Sequence, residues 1–364
     1  MKRKNTYLRI ALASGIACLA FGNASGERID ASDARLSLTG APHAFFDEGK
    51  RVAQRFPIEM LELPASDLGF DARKGQTSTG CILAFQTDSP RVKVIFEARD
   101  GENRGSEFGV FEEGELVYER RFAKSEKEMV LEWESVADGM SLFEVSLPSW
   151  SSPALVGLEI QDGSRLKRAK SKERKYVAFG DSISHGTGQG SASYRNWPFL
   201  LSRKFDVALT NLAVGGGKVS GPAAEMLKDM GDVDLITLLI GYNDLNTGIS
   251  PMEFSKRYTR FLETVEEHQP RAKIYCISLL YTKRVKSRGS EHTVEEFRKA
   301  VVDTVSAFAD KNPNVRLIHG DRITSERNLR DGGAKDVVHL SVEGASMFAD
   351  AVYGIIAKDN ESSK

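Results

Sequence analysis

Cysteine is scarce in this chain, which has three cysteines among 364 residues. One of them, Cys18, lies in an N-terminal segment that we expect to be removed, so two thiols, Cys81 and Cys276, would remain. Two thiols can form one bridge or none, which excludes a disulfide framework. Neither has a cysteine or histidine neighbour at ligand spacing, so the sequence predicts neither a metal site nor a bound cofactor.

Charge of one sign is not in excess either, because 50 Lys and Arg residues are balanced by 51 Asp and Glu residues. A balanced chain has no global field that would attract nucleic acid or an anionic membrane, so nucleic acid is not an expected partner. The dense basic stretch covers residues 164–175. It is brief and has no interleaved aromatic residues, which favours a solvated linker over a nucleic-acid patch.

A long hydrophobic run is also missing. Residues 10–21 are mostly apolar, but they are too few to span a bilayer. Basic residues precede them and the small residues 24–26 follow, which is the pattern of a signal peptide over residues 1–26. The basic residues are Lys2, Arg3, Lys4 and Arg9. We therefore expect a secreted or periplasmic protein with no integral membrane segment after cleavage. A lipid anchor at Cys18 is the alternative, although residues 15–17 match a lipoprotein cleavage box poorly.

Residues 27–163 show the short alternating pattern of half-buried strands. Val92, Val94 and Phe96 would share one face of a strand, and Lys93 would lie on the other. Similar stretches recur along the region and are separated by turn-forming residues. The first region is therefore predicted to be a small β-sandwich.

Beyond the linker, residues 176–358 alternate between apolar strands and helices, and residues 359–364 form a tail. Residues 233–240 are a nearly unbroken apolar run, as expected of a parallel strand that is covered on both faces. Five such strands with intervening helices predict an α/β fold. Its centre would be a five-stranded, doubly wound parallel sheet in three layers, like that of flavodoxin.

The strand expected at residues 176–179 leads directly into Gly180-Asp181-Ser182. Open α/β sheets place their chemistry at the carboxyl ends of strands, so the Ser182 hydroxyl is a candidate nucleophile. The motif alone has little specificity, because Gly, Asp and Ser are also common turn formers. A serine becomes a good nucleophile only when a neighbouring base takes its proton.

Two of the six histidines are candidate bases at that edge of the sheet. Asp336 precedes His339 by three residues on one predicted loop, so it could bond one ring nitrogen while the other faces Ser182. His319 ends the fifth predicted strand with Asp321 nearby, and it is the alternative.

Hydrolysis of an ester also needs hydrogen-bond donors for the oxygen that becomes negative in the transition state. Two strand-end segments offer them. Residues 211–217 contain an asparagine and three consecutive glycines, and residues 241–244 contain Asn243. Glycines let the backbone approach a ligand, and an asparagine side chain carries an NH₂ group. Either segment alone is more often an ordinary turn.

These motifs occur together in one order: Gly180-Asp181-Ser182, Asn211 with a glycine five residues later, Gly241-x-Asn243-Asp244, and Asp336-x-x-His339. From about residue 176 to the C-terminus, the sequence resembles the SGNH, or GDSL, esterase family. The β-rich first half looks like the accessory domain of some bacterial polysaccharide-deacetylating members.

The resemblance implies roles for individual residues. Ser182 would be the nucleophile, His339 the base, and Asp336 the acid that orients the base. The oxyanion donors would be the backbone amides of Ser182 and Gly216 and the side chain of Asn243. The register of the glycines stays open at this point, with Gly215 as the alternative to Gly216.

The expected function is a secreted serine esterase that acts on short acyl esters, in particular acetyl groups on a carbohydrate or polysaccharide. One alternative is an O-acyltransferase with the same residues, and another is a glycan-binding protein with an inactive hydrolase domain. A lipase of the α/β-hydrolase type is disfavoured, because residues 180–184 lack the last glycine of its Gly-x-Ser-x-Gly motif. The sequence makes no prediction of the oligomeric state.

Two further groups of side chains are candidates for binding of the carbohydrate. Tyr194, Trp197 and Tyr242 could stack on sugar rings, although packing is the more common role of such aromatics. The basic residues after the fourth predicted strand could meet an acidic glycan, although a solvated loop is the more common explanation. They are Lys283, Arg284, Lys286 and Arg288.

Overall fold

The structure is a computed structural model, and it describes residues 26–287 and 289–362. The predicted signal peptide up to residue 25, including Cys18, lies outside the described residues, as do Arg288 and residues 363–364. Across the described ranges, no helix is both long enough and apolar enough to cross a membrane.

The first half of the described chain consists mainly of short strands. In chain order they are β1 (Gly26–Asp30), β2 (Ser37–Thr39), β3 (Phe45–Asp47), β4 (Lys50–Val52), β5 (Ile82–Thr87), β6 (Arg91–Glu97), β7 (Ser106–Glu112), β8 (Glu115–Phe122), β9 (Glu128–Glu134), β10 (Ser141–Ser146), β11 (Ala154–Gln161) and β12 (Leu166–Lys167). Three short helices lie between β4 and β5: α1 (Ile58–Leu61), α2 (Ala65–Leu68) and α3 (Ala72–Gly75). Residues 164–175 contribute β12, which pairs antiparallel with β5.

These strands form two antiparallel sheets. One has the order β3-β4-β11-β6-β9 with β1 also paired to β11, and the other has the order β12-β5-β10-β7-β8 with β2 paired to β5. Val92, Val94 and Phe96 of β6 are fully buried, whereas Lys93 between them is only partly buried. The Phe96 ring lies 4.9 Å from the ring of Phe108 in the other sheet. The predicted β-sandwich is thus confirmed, and the alternating residues supply its core.

The second half alternates between parallel strands and helices. The strands are β13 (Lys175–Gly180), β14 (Ala208–Asn211), β15 (Leu235–Leu239), β16 (Lys273–Ile277) and β17 (Val315–Ile318). The helices are α4 (Ser182–His185), α5 (Trp197–Phe205), α6 (Gly221–Glu225), α7 (Tyr242–Leu245), α8 (Pro251–His268), α9 (Val294–Ala309), α10 (Gly320–Ile323) and α11 (Val342–Ser362). Short 3₁₀ turns cover Ser193–Arg195, Met226–Asp229, Glu326–Asn328 and Arg330–Gly333. Side-chain caps begin the longer helices, Ser250 for α8 and Thr293 for α9.

The parallel sheet has the order β14-β13-β15-β16-β17. Every residue of β15 is buried, as expected of a central strand with helices on both faces. Because the strand order reverses beside β13, the carboxyl end of β13 borders a crevice at the switch point of the sheet, where open α/β folds bind ligands. The predicted five-stranded, doubly wound α/β fold is confirmed.

The two halves share apolar packing. Phe56, Leu68 and Phe70 of the first half belong to the same buried cluster as Phe179 and Phe261 of the second half. Burial of aromatic rings is a large favourable term in folding. The segment around α1–α3 is therefore fixed against the parallel sheet and can contribute to a site at its edge.

Candidate active site

Ser182 is the first residue of α4 and comes directly after the end of β13. Asp181 caps this helix, because its carboxylate accepts the N–H of Ile183 at 2.9 Å. Gly180 permits the sharp turn, since a Cβ at this position would lie 2.4 Å from Ser184 Oγ. The turn leaves Ser182 half-buried at the carboxyl edge of the sheet.

The structure brings Ser182, His339 and Asp336 into one chain of hydrogen bonds. Ser182 Oγ lies 2.8 Å from His339 Nε2, across 157 positions of sequence. His339 Nδ1 lies 2.8 Å from Asp336 Oδ2 and 3.0 Å from Oδ1. Because an ionised carboxylate only accepts, Nδ1 carries the hydrogen and Nε2 is left to accept from the serine hydroxyl. This is the arrangement that activates a serine nucleophile.

The loop before α11 holds Asp336 in place and keeps it ionised. Its Oδ1 accepts the backbone N–H of His339 at 3.0 Å and that of Val338 at 3.2 Å. Arg330 Nη1 donates to Asp336 Oδ2 at 3.2 Å. Burial opposes ionisation, but the bonds from His339 and its charge hold the pKa of Asp336 below its usual value. The carboxylate is therefore negative at neutral pH.

For His339, the effect of burial on the pKa outweighs that of its carboxylate partner. Burial lowers the pKa of His339 below its usual value, Asp336 opposes this, and the charges of Arg330 and Arg284 lower the pKa further. The side chain of His339 is 23% exposed, so solvent reaches the ring. The imidazole is therefore neutral at pH 7, which is the state that can take a proton from a hydroxyl.

The other histidines do not reach Ser182. His319, the alternative base, lies at the start of α10, and no hydrogen bond joins it to Ser182 within the described ranges. His185 is fully buried, with Nδ1 accepting the N–H of Gly215 at 2.9 Å and Nε2 lying 2.6 Å from the carbonyl of Ser149. Burial lowers the pKa of His185 well below its usual value, so the ring is neutral. His185 holds the glycine segment in place and does not face the nucleophile.

In the segment after β14, one of three consecutive glycines has an N–H group without a described hydrogen-bond partner. Gly215 N–H is bonded to His185, and Gly217 N–H donates to the carbonyl of Val214 at 2.8 Å. Gly216 is exposed between them with φ +84°, a conformation that favours glycine. In the part of the chain that the structure describes, neither Gly216 N–H nor Ser182 N–H has a hydrogen-bond partner.

Asn243 and Asp244 connect the next loop to this segment. Asn243 Nδ2 donates to the carbonyl of Gly217 at 3.0 Å, which uses one of its two hydrogens. Asp244 accepts the N–H of Val219 with both oxygens at 3.3 Å. Burial raises the pKa of Asp244 to about 6 and that of Asp181 to about 7, so Asp181 is partly protonated near neutral pH whereas Asp244 is mostly ionised.

The second half of the chain matches a known family. Residues 178–347 match the GDSL-like Lipase/Acylhydrolase family model. The resemblance to the SGNH/GDSL hydrolases is confirmed. Among curated proteins, none matches the chain.

Several solved structures share the whole fold. The Salicylyl-Acyltransferase SsfX3 from a tetracycline biosynthetic pathway aligns with a TM-score of 0.81 and 23% identity over 93% of this chain and 98% of its own. A GDSL-like lipase from Bacteroides ovatus has a TM-score of 0.71 and 19% identity over 93% and 98% of the two chains. A family two carbohydrate esterase from Cellvibrio japonicus has a TM-score of 0.65 and 15% identity over 93% and 99%. This chain thus has the fold of SGNH/GDSL esterases and acyltransferases, including the β-sandwich.

Arg55 of the first half holds the end of β14 in the GDSL-type region, a role that the sequence does not predict. It is fully buried, and its Nη1 donates to the carbonyls of Asn211 at 2.6 Å and Ala213 at 2.9 Å. Its Nε donates to the carbonyl of Thr77 at 2.7 Å. Burial lowers the pKa of Arg55 to about 10, so it remains charged although its acceptors are neutral. No sequence signal distinguishes this arginine from a surface one.

The three aromatic residues that are candidates for sugar stacking are buried instead. Trp197 donates its Nε1–H to Ser184 Oγ at 3.1 Å, and Tyr242 donates its hydroxyl to the carbonyl of Leu280 at 2.8 Å. Tyr194 bonds to Glu119 of β8. Their rings are at most 5% exposed, so they pack the protein and offer no open face to a sugar.

Proposed function

We propose that the protein is an exported serine esterase that removes short acyl groups, in particular acetyl, from a carbohydrate. The observation that carries the proposal is the chain of hydrogen bonds from Ser182 through His339 to Asp336, beside two backbone N–H groups that lack partners. The basic and apolar start of the sequence supports export.

In the proposed mechanism, Ser182 Oγ attacks the ester carbonyl while His339 Nε2 takes the serine proton. Asp336 stabilises the imidazolium that forms. When the tetrahedral intermediate collapses, the C–O bond to the alcohol breaks, and His339 gives its proton to the departing oxygen. The acyl group then remains on Ser182, and a water activated by the same imidazole releases it as the acid.

The negative charge on the carbonyl oxygen needs preorganised donors. We assign this role to the N–H groups of Ser182 and Gly216 and to the second hydrogen of Asn243 Nδ2. The choice of Gly216 over Gly215 is supported by hydrogen bonding, since the Gly215 N–H is already bound by His185. The first hydrogen of Asn243 fixes its amide through Gly217, which orients the second.

The proposal predicts the pH dependence of kcat/KM. Activity requires neutral His339, so kcat/KM should rise with pH through the pKa of this residue. Because burial and two arginines lower that pKa, the midpoint of the rise should lie below the reference histidine value of about 6.5. The measurement is kcat/KM for 4-nitrophenyl acetate between pH 4 and 8.

Asp181 is the control for this profile, because burial raises its pKa to about 7, in the same range of pH. In Asp181→Asn the helix cap is kept and the midpoint should stay where it is. If the rise in kcat/KM is absent from Asp181→Asn, or if the wild-type profile is flat, the assignment of His339 is contradicted.

The carbohydrate substrate is supported by the fold shared with family two carbohydrate esterases from Cellvibrio japonicus and Clostridium thermocellum. We expect the purified protein to release acetate from at least one member of a panel of acetylated polysaccharides, such as xylan, glucomannan and pectin. Acetate is measured enzymatically, with Ser182→Ala as the blank. If the protein hydrolyses 4-nitrophenyl acetate but releases acetate from no polysaccharide, the esterase activity is supported and the carbohydrate substrate is rejected.

Acyl transfer is the second candidate, because the structure with a TM-score of 0.81 is that of an acyltransferase. The two reactions differ only in whether water or a hydroxyl of a second substrate takes the acyl group from Ser182. Product analysis distinguishes them. If addition of an alcohol acceptor diverts most of the acetyl group into a new ester at constant total turnover, the protein is a transferase.

A further inference from the structure

A lysine from the first half of the chain reaches the glycine segment of the candidate site. Lys74 lies on α3, and its Nζ is 3.9 Å from the position that a Cβ on Gly216 would occupy. Its nearest acidic group is Asp71, at 3.8 Å, which is half exposed and forms a long ion pair. The Lys74 side chain is 25% exposed, so its ammonium faces solvent beside Gly216.

Two arginines lie near His339 and Asp336. Arg330 Nη1 contacts Asp336 Oδ2 at 3.2 Å, and 46% of its side chain is exposed. Arg284 is close enough for its charge to act on His339. The loop that carries Arg284 is fixed, because Thr282 Oγ1 bonds to the carbonyl of Val337 and accepts the N–H of Arg284. Among the described residues, the guanidinium of Arg284 has no hydrogen-bond or ion-pair partner.

The acidic groups at the site do not balance these charges. Asp336 is already bound by His339 and Arg330. Asp181 and Asp244 are buried and already accept backbone N–H groups, those of Ile183 and Val219. We call Lys74, Arg284 and Arg330 the cationic rim. Its three positive charges are paired with two carboxylates, those of Asp71 and Asp336, which leaves one positive charge in excess.

We propose that the ester substrate is anionic, with a carboxylate on the alcohol portion, as in an acylated saccharide that contains uronic acid. The inference rests on the proposed function. The leaving alcohol must pass His339, which protonates it, so its substituents lie beside Arg284 and Arg330. An arginine fork matches a carboxylate and contributes most when the cation has no other partner, which is the condition of Arg284. Lys74 adds positive potential on the side where the carbonyl oxygen becomes negative.

The test compares two substrates that differ only in charge: an O-acetylated oligogalacturonide, and the same compound with its carboxyl groups methyl-esterified. Acetate release gives kcat/KM for each. We expect the charged substrate to be favoured about tenfold or more at low ionic strength, and added NaCl to reduce this preference. In Arg284→Met the preference should fall about three- to tenfold, whereas Lys74→Met should lower kcat/KM for both substrates and leave the preference in place.

Lys283→Met is the matched control. Lys283 is next to Arg284 on the same loop, but its Nζ is bound to Glu326 at 2.6 Å. This variant should keep the preference of the wild type. The contrast separates a paired cation from an unpaired one at neighbouring positions.

Equal kcat/KM for the charged and the methyl-esterified substrate, or an unchanged preference in Arg284→Met, would overturn the inference and leave the proposed function intact. The inference would also be overturned, with the proposed function intact, if the protein released acetate from a neutral acetylated xylan oligosaccharide but from neither oligogalacturonide. If the wild-type protein hydrolyses none of these esters, including 4-nitrophenyl acetate, the proposed function and the inference are both rejected.

Discussion

Replacement of Ser182 by alanine is expected to lower kcat for 4-nitrophenyl acetate by about 10⁴- to 10⁶-fold. The variant loses the atom that would form the acyl-enzyme, and the remaining donors could assist only direct attack by water. The fold should stay intact, because the hydroxyl has one described hydrogen bond, to His339, and the residue is half-buried. Initial rates give the loss of activity, and circular dichroism with thermal unfolding checks the fold.

A fluorophosphonate probe provides an independent readout for the same variant. In the wild type, mass spectrometry should place the label on Ser182, and the label should be absent from Ser182→Ala. Ser66→Ala is the control, since Ser66 is exposed and bonds only to the neighbouring Asp67. Wild-type turnover by Ser182→Ala, with the label on another residue, would reject Ser182 as the nucleophile.

Replacement of Asp336 by asparagine is expected to lower kcat by about 10³- to 10⁴-fold with little change in KM. The asparagine carbonyl can still accept the backbone N–H groups of Val338 and His339, so the loop should keep its shape. The amide cannot stabilise the imidazolium. If its NH₂ group faces Nδ1, the ring must carry its hydrogen on Nε2, where it cannot accept from Ser182.

The matched control is Asp321→Asn, beside the alternative base His319. Asp321 lies 3.7 Å from Arg298 and has no described contact with His339, so its replacement should change kcat by less than about twofold. The reverse result, with Asp321→Asn inactive and Asp336→Asn active, would move the proposed base to His319.

The periodicity of the sequence was sufficient for the fold class. Alternation such as Val92, Val94 and Phe96 distinguishes half-buried strands of a sandwich from the continuous apolar run at residues 233–240, which forms a strand covered on both faces. The motif order predicted which strand ends would carry polar side chains. Carboxyl ends of parallel strands share one edge, so Ser182 could be expected there before any coordinates.

The register of the glycine segment could not be predicted, because three consecutive glycines are equivalent in sequence. The structure distinguishes them by hydrogen bonds. His185 binds the N–H of Gly215, Val214 binds that of Gly217, and Gly216 is left exposed with a positive φ. The contact of His185 with Gly215 could not be predicted either, because the two residues are 30 positions apart and belong to different segments.

The sequence also could not predict which residues of the first half lie near the glycine segment. Arg55 is 156 positions from Asn211, whose carbonyl it binds, and Lys74 is about as far from Gly216. Neither residue belongs to a motif. Arg55 and Lys74 lie beside the glycine segment because the first half of the chain packs against the parallel sheet.

By itself, the sequence determined the two-part architecture, the central parallel sheet and the order of the motif residues, because local periodicity and turn chemistry encode these features. Only the tertiary structure decided that Ser182 meets His339 and not His319, which glycine amide stays free, and that Lys74 lies beside Gly216. These depend on distances between segments far apart in the chain, and such distances follow from how the whole core packs.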